Sequence, residues 1–330
     1  MRIDDKVARL RAPGIYPDRP AAVEVIETHF SWVFLAPSRV YKLKKPVRYH
    51  GLDFTTLAAR RHNCIQEVAL NRRLAPAVYL GIAALTRTAA GRVEFDGPGT
   101  VLDWLVVMRR LPAQAMLDAA IRADAVDLAA VDRIAALLAG FYRENTAPAP
   151  LAPEAYRQRL AATLAENRAV LGAAAGLDQP LVAALSAWQE NFLRSRSALL
   201  GERATHLVDA HGDLRPEHVC LGPEPAIIDC LEFDATLRQL DPVDELSYLG
   251  LECERLGAAD IGQHILAHYQ TATGDRCPTE LIDFYRVFRA CVRAKIAIWH
   301  LADCARRERE HWRQRAKDYL GLAEVASGEN

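Results

Sequence analysis

A chain of 330 residues, 51% hydrophobic and 25% charged, can bury a sizeable core in one large domain or two modest ones and needs no disulfide or metal staples. Its formal net charge of -1 supplies no global basic field and so gives no reason to expect a nucleic-acid partner. The seven cysteines are odd in number, scattered and never in CxxC, which argues against a disulfide framework or a zinc ribbon and suits a reducing compartment.

The first residues, MRIDDKVARL, place acidic side chains where an apolar signal core would lie, and no uncharged apolar run of about 18 residues occurs, so the chain is expected to be cytoplasmic and not membrane-spanning. Val23 to Val47 reads as a β-meander: Val23–Ile26, Phe30–Leu35, a turn at Ala36–Ser38, then Arg39–Lys44, rich in branched and aromatic residues. Thr55 or Thr56 caps a predicted helix running to about Leu74, with Leu57, Cys64, Glu67, Asn71 and Leu74 on one mostly apolar face. Strand signals return at Val78–Leu85, Val93–Phe95 and Trp104–Met108, ahead of Arg109–Pro112.

Beyond Met116 the pattern changes to Ala and Leu with charges at helical spacing. Helices are predicted over Ala125–Tyr142, Pro153–Leu171, Pro180–Leu200, Pro242–Leu256, Ala258–Thr273 and Thr279–Leu320, some of them broken. The chain is therefore expected to form two lobes, residues 1–112 and 113–330, in an α+β arrangement with a helical second lobe.

The densest chemistry lies in Val208–Asp244. His211-Gly212-Asp213 precedes apolar Val219–Leu221, a Gly/Pro turn at Gly222–Pro225, and apolar Ala226–Ile228 leading into Asp229. A hairpin there would bring Asp213 and Asp229 to one end, and paired carboxylates suit proton abstraction or a divalent cation.

Taken with ETHFSWVFL, RVYKLKKPV, LDFTTLAARRHNCIQEVALNRRLAPAVYLG, VVMRRLP, HGDLRPEH, IIDCLEFD and LRQLDPVDELSYL, the chain resembles the aminoglycoside phosphotransferase family, in its bacterial branch of unknown substrate. The resemblance implies a bilobal protein-kinase-like fold and phosphoryl transfer from ATP or GTP to a hydroxyl of a small molecule, a reaction that needs positioning and charge neutralisation more than covalent help. It implies that Lys42, with Lys44 in reserve, holds nucleotide phosphates, that Glu67 pairs with that lysine, and that Met108 contributes to the nucleotide site. Asp213 would accept or orient the acceptor proton, His211 would shape the catalytic loop, and Arg215 would join them there. Asp229, with His218, would hold Mg²⁺ or Mn²⁺. Taken alone, Lys42, Lys44 and Lys45 also read as solvated edge charges, His211 as a structural histidine and Asp229 as a turn cap.

Two departures from the family pattern matter. His218 stands where an asparagine is usual, and imidazole suits manganese or zinc better than magnesium. The stretch EVIETHFSWVFLAPS holds no glycine, so phosphates would fall to Thr28, His29, Ser31 or backbone donors. No GxxxxGK[ST] occurs. Two rivals follow: a nucleotide-binding pseudokinase that regulates a partner, and a metal-dependent phosphoesterase using His211, Asp213, His218 and Asp229. Asp241 and Asp244 suit the start of a helix, Glu232 and Asp234 could meet metal or substrate, and His264 and His268 stand at i, i+4 with no obvious third ligand.

Overall fold

The computed structural model describes residues 1–49, 52–147, 151–303 and 308–328. It divides into two compact units, Met1–Ala115 with Glu224–Ala235, and Met116–Pro223 with Thr236–Asn330.

In the first unit, helix α1 (Ile3–Leu10) precedes β1 (Glu24–Glu27), β2 (Ser31–Leu35), β3 (Arg39–Lys44), the two-residue strands β4 (Arg48–Tyr49) and β5 (Leu52–Asp53), α2 (Leu57–Asn71), β6 (Tyr79–Arg87), β7 (Val93–Phe95) and β8 (Thr100–Arg109). Six of these strands form one antiparallel sheet in the order β1-β2-β3-β8-β6-β7. The period of two along β3 sorts its side chains: Tyr41 and Leu43 enter a core with Val7, Leu10 and Tyr16, while Lys42 and Lys44 fall on the opposite face. Helix α1 was not read from the sequence, although Ile3, Val7 and Leu10 stand at i, i+4 and i+7 on the side that meets the core; Lys6 is buried with Val7 and Leu10.

Thr56 caps α2 by accepting the Ala59 N–H at 3.1 Å. Its buried face is more polar than the expected stripe, carrying Arg60, Asn63, Glu67 and Asn71 beside Cys64 and Val68. Arg60, Glu67 and Asn71 are buried with partners, whereas the buried Asn63 Oδ1 has none. Arg60 donates to Asp103 from Nε at 2.8 Å and Nη2 at 2.9 Å, and Lys6 reaches the same carboxylate at 2.6 Å.

The glycine-free turn between β1 and β2 is closed by Thr28. Its N–H reaches the Ser31 carbonyl at 2.8 Å, and its hydroxyl oxygen accepts the Ser31 N–H at 3.0 Å.

The second unit carries α3 (Leu117–Arg122), α4 (Leu128–Glu144), α5 (Pro153–Ala173), α6 (Gln179–Ser195), α7 (Ser197–Arg203), the single turn α8 (Ala235–Arg238), α9 (Pro242–Arg255), α10 (Ala259–Thr273), α11 (Thr279–Asp303) and α12 (Arg309–Ser327). The expected helix over Pro180–Leu200 is two helices that break at Arg196, and Thr279–Leu320 is likewise two. Of the charged run at Arg306–Lys317, Arg306 and Arg307 lie outside the described residues. Leu171, Leu185, Leu251, Val287, Ala294 and Tyr319 sit in one core cluster of α5, α6, α9, α11 and α12. Helices α9 and α10 approach closely enough that a Cβ on Gly262 would lie 2.3 Å from the Gly250 Cα, so only glycine fits there.

Asp241 and Asp244 build this unit as expected. Asp241 caps α9 through the Val243 N–H at 2.9 Å and takes both arms of Arg203 at 2.6 and 2.7 Å; Asp244 takes both arms of Arg289 at 2.5 and 2.6 Å. Among the described residues no helix is long and apolar enough to cross a membrane.

Candidate active site

The site residues of the first unit meet on the α2 side of β3. Lys42 Nζ lies 3.0 Å from Glu67 Oε1 and 2.6 Å from Asp229 Oδ1. Lys44 Nζ makes an ion pair with the other Glu67 oxygen and lies 2.6 Å from Glu232 Oε1. Lys44 is thus a full member of the group, and it is the more deeply buried lysine, with a side chain 1% exposed against 13% for Lys42. Burial disfavours charge on both lysines, yet the surrounding carboxylates outweigh it and raise both above the ordinary lysine range. The same balance runs in reverse for Glu67: burial pushes it up, and the two ammonium groups bring it below its usual value. Met108 pairs with Val40 across β3 and β8, so it shares the sheet face of Lys42.

Asp229 reaches this group because the segment Glu224–Ala235 is stitched to α2 and β6. The Asp229 N–H donates to the Tyr79 hydroxyl at 3.0 Å and the Cys230 N–H to Asn71 Oδ1 at 2.8 Å. Asp229 has φ 63°, a left-handed conformation that costs a non-glycine residue energy and recurs at functional sites. Its carboxylate is the most exposed of the group, at 44%.

In the second unit, strand Val208–Asp209 delivers His211, Gly212 and Asp213 into a loop held by α9. Glu245 Oε1 accepts the Gly212 N–H at 2.6 Å, and Oε2 accepts the His211 N–H at 3.1 Å and the Tyr142 hydroxyl at 2.8 Å. Burial raises the Glu245 carboxyl above its usual range, and those donors pull it partly back. His211 is fully buried, and its Nδ1 accepts the Asp213 N–H at 3.3 Å.

The Asp213 carboxylate takes Tyr248 O–H on Oδ1 at 3.0 Å and Arg215 on Oδ2, from Nε at 3.1 Å and Nη2 at 3.0 Å. Burial works against its charge, but the guanidinium groups of Arg215, foremost, and Arg293 overcome it and hold the carboxyl at about 2. His218 places Nδ1 2.8 Å from the Asp213 carbonyl and Nε2 3.0 Å from Arg215 Nη2. A carbonyl can only accept and a guanidinium can only donate, so the ring proton belongs on Nδ1 and the Nε2 lone pair points at Arg215.

Sequence reasoning did not find Asn71, Tyr79, Glu245, Tyr248 or Arg293. Glu245, Tyr248 and Glu252 recur at i, i+3 and i+7 along α9 and are all buried, a polar stripe in a helix that was read only for its caps. His264 and His268 converge on Asp132 Oδ1 at 2.6 and 3.9 Å, a contact between α10 and α4. Among the described residues no group of three or more His, Cys, Asp or Glu is arranged to hold a metal ion.

No family model matches the chain. An uncharacterized protein of Mycobacterium tuberculosis (strain ATCC 25618 / H37Rv) is 36% identical over 279 residues, 83% of this chain and 54% of that protein. The chain thus spans about half the length of the curated relatives it matches. Among solved structures, the choline kinase of Cryptosporidium parvum Iowa II superposes with a TM-score of 0.56 at 11% identity, over 99% of this chain and 97% of that one. The choline kinase LicA of Streptococcus pneumoniae gives 0.54 at 15% identity, over 97% and 99%. The chain has the protein-kinase-like fold. That bears out the resemblance in the sequence at the level of fold, with the antiparallel sheet and helix α2 in the first unit and the helical second unit. Within this kinase-like fold Lys42, Glu67 and Asp229 fall in one unit, and His211, Asp213, Arg215 and His218 in the other.

Proposed function

We propose that this protein is a nucleotide-dependent phosphotransferase that moves the terminal phosphoryl group of ATP, or of GTP, to a hydroxyl of a small molecule. The observation that carries the proposal is the Lys42–Glu67 ion pair with Asp229 on the same ammonium, at 3.0 and 2.6 Å. A lysine fixed by a helix carboxylate, beside an exposed aspartate, is what holding and neutralising polyphosphate requires. LicA, which shares the fold, has also been solved in complex with AMP (TM-score 0.50).

In the proposed reaction the acceptor oxygen bonds to the γ-phosphorus as the bond to the β–γ bridging oxygen breaks, and that electron pair leaves with the nucleoside diphosphate. The hydroxyl proton passes to Asp213 or onward to solvent. A carboxylate held at about 2 is a weak base, so Asp213 acts chiefly by fixing the hydroxyl in line. A loose transition state asks little more of it. Lys42 would turn from Asp229 to phosphate oxygens, while Lys44 keeps Glu67 ionised.

The oxygen donors of Asp229 fit Mg²⁺ or Mn²⁺. Held there, the ion would neutralise phosphate charge. His218 is assigned to the loop, since its Nε2 lone pair is directed at Arg215. The proposed setting is the cytoplasm, which suits the buried free thiols of Cys64, Cys220, Cys230, Cys253 and Cys291. No role toward nucleic acid or membrane is assigned.

The deciding experiment is single-turnover transfer from γ-labelled ATP and GTP, with Mg²⁺ or Mn²⁺, across pooled alcohols, sugars and polyols. Labelled product that disappears in Asp213→Asn supports the reading. Nucleotide binding with neither transfer nor hydrolysis in any pool would sink it in favour of a pseudokinase.

A further inference from the structure

Arg293 of α11 packs on the ring of Tyr248, the residue whose hydroxyl holds the Asp213 carboxylate. Tyr248, whose hydroxyl donates to Asp213, has two guanidinium groups near its ring, Arg289 at 5.6 Å and Arg293 at 5.8 Å from the centroid. Arg289 is committed, with both arms on Asp244. Arg293 is not. Its Cζ also stands 5.6 Å from the Tyr319 ring, and its Nε lies 3.0 Å from Glu252 Oε1 and 3.3 Å from the Tyr319 hydroxyl.

Glu252 is itself shared, since its Oε2 accepts Arg255 at 2.8 Å and its Oε1 accepts the Tyr319 hydroxyl at 2.6 Å. Glu217 adds a longer contact to Arg255, at 3.6 Å. Among the described residues, Arg293 Nη1 and Nη2 have no hydrogen-bond partner, although the side chain is only 18% exposed. Two aromatic faces and one shared carboxylate therefore hold a guanidinium in place from its Nε side and leave its terminal fork undirected. Ordering such a fork in advance removes much of the entropic cost of using it, and its geometry matches the paired oxygens of a carboxylate or phosphate. A cationic acceptor placed beside Asp213 would instead face Arg293 and Arg215 together.

We infer that Arg293 anchors an anionic group of the acceptor, so that the substrate is a hydroxyl compound that also carries a carboxylate or a phosphate ester. This rests on the phosphotransferase reading and names the substrate class of that same site. The anion is bound and does not react; the hydroxyl takes the phosphoryl group as described above.

The test uses a matched series in which only charge changes: glycerol, 3-amino-1,2-propanediol, glycerate and glycerol 3-phosphate, with the corresponding six-carbon polyols, amino sugars, sugar acids and sugar phosphates. Turnover is followed as phosphorylated product by mass spectrometry, and binding by calorimetry without nucleotide. Acids and phosphates separate the two sources of the anion. An anionic member is expected to be the preferred acceptor. Arg293→Gln should raise its KM or Kd about 10- to 100-fold with the KM for nucleotide unchanged, and Arg293→Lys should restore part of the loss. Equal thermal unfolding of the Lys and Gln variants separates lost binding from lost folding. Transfer to neutral or cationic members that Arg293→Gln leaves intact overturns the inference while the phosphotransferase reading stands. Anion binding that depends on Arg293 without any turnover keeps the binding site and overturns the reaction, and neither binding nor turnover overturns both.

Discussion

Lys42 and Lys44, two residues apart on β3, hold opposite oxygens of the single buried carboxylate of Glu67. The alternation of a strand makes this possible, because i and i+2 point to one face. The two lysines then diverge, Lys42 to the exposed Asp229 and Lys44 to the mostly buried Glu232. Under the proposed function, Lys42 would exchange its partner for phosphate while Lys44 keeps the carboxylate charged.

The division predicts opposite phenotypes. Lys42→Met should lower kcat/KM by about 100-fold or more and change stability little, since Glu67 keeps Lys44. Lys44→Met strands Glu232 and half of Glu67 in a desolvated site and should cost about 3–5 kcal/mol. Urea unfolding monitored by circular dichroism measures the second effect. An unchanged midpoint for Lys44→Met would mean that Lys44 has no structural part in the group.

Asp213 makes a prediction about acid. Its folded value of about 2 lies below the ordinary 3.8, so the charged form is favoured by folding. Its contribution is present above pH 4 and is lost as the pH falls through about 2. After discounting for a side chain that is 30% exposed, it amounts to about 1–2 kcal/mol. Between pH 4 and 2 the wild-type protein should lose that much more stability than Asp213→Asn, and parallel acid-unfolding curves for the two proteins would show the carboxyl to be unperturbed.

At Asp229 the backbone and the carboxylate can be separated. With φ at 63°, Asp229→Gly relieves a conformation that L-residues avoid, whereas Asp229→Ala keeps the strain. Both should abolish metal-dependent nucleotide binding, yet Gly should be more stable than Ala by about 1 kcal/mol. The check is thermal unfolding of both variants beside nucleotide titration with Mg²⁺ or Mn²⁺; Ala as stable as Gly argues that the strain is absent.

Glu245 holds the His211–Asp213 loop through the His211 and Gly212 N–H groups. Glu245→Gln keeps an oxygen for only one of the Gly212 and His211 N–H groups, and Glu245→Ala leaves both buried donors unmet. Each unmet donor costs about 1–3 kcal/mol. The expected order of kcat and of stability is wild type, Gln, then Ala, with Tyr142→Phe mild. Hydrogen exchange at Gly212 should quicken in the same order, and a Gly212 amide equally protected in all of them counts against the assignment.

Much of this was legible in order and spacing. β3 spans Arg39–Lys44 and β7 Val93–Phe95, as their branched and aromatic residues indicate, and Thr56, Pro153 and Asp241-Pro242 mark helix starts that the chain uses. These signals are local, since caps, turns and period-two alternation act within a few residues. The polar face of α2 was misread as mostly apolar because its partners, Asp103, Lys42 and the Cys230 N–H, come from distant parts of the chain.

The sequence by itself determined the strand and helix content and the candidate residues Lys42, Glu67, Asp213 and Asp229. Only tertiary structure decided what each of them touches. Buried charges must find partners or fold at a large cost, and those partners are chosen by proximity in space. That requirement ties Glu224–Ala235 to the first unit, brings Lys44 to Glu67 and Glu232 and turns His218 toward Arg215. The same requirement sets Arg293 on the ring of Tyr248, whose hydroxyl holds Asp213, where spacing along the chain gives no sign of it.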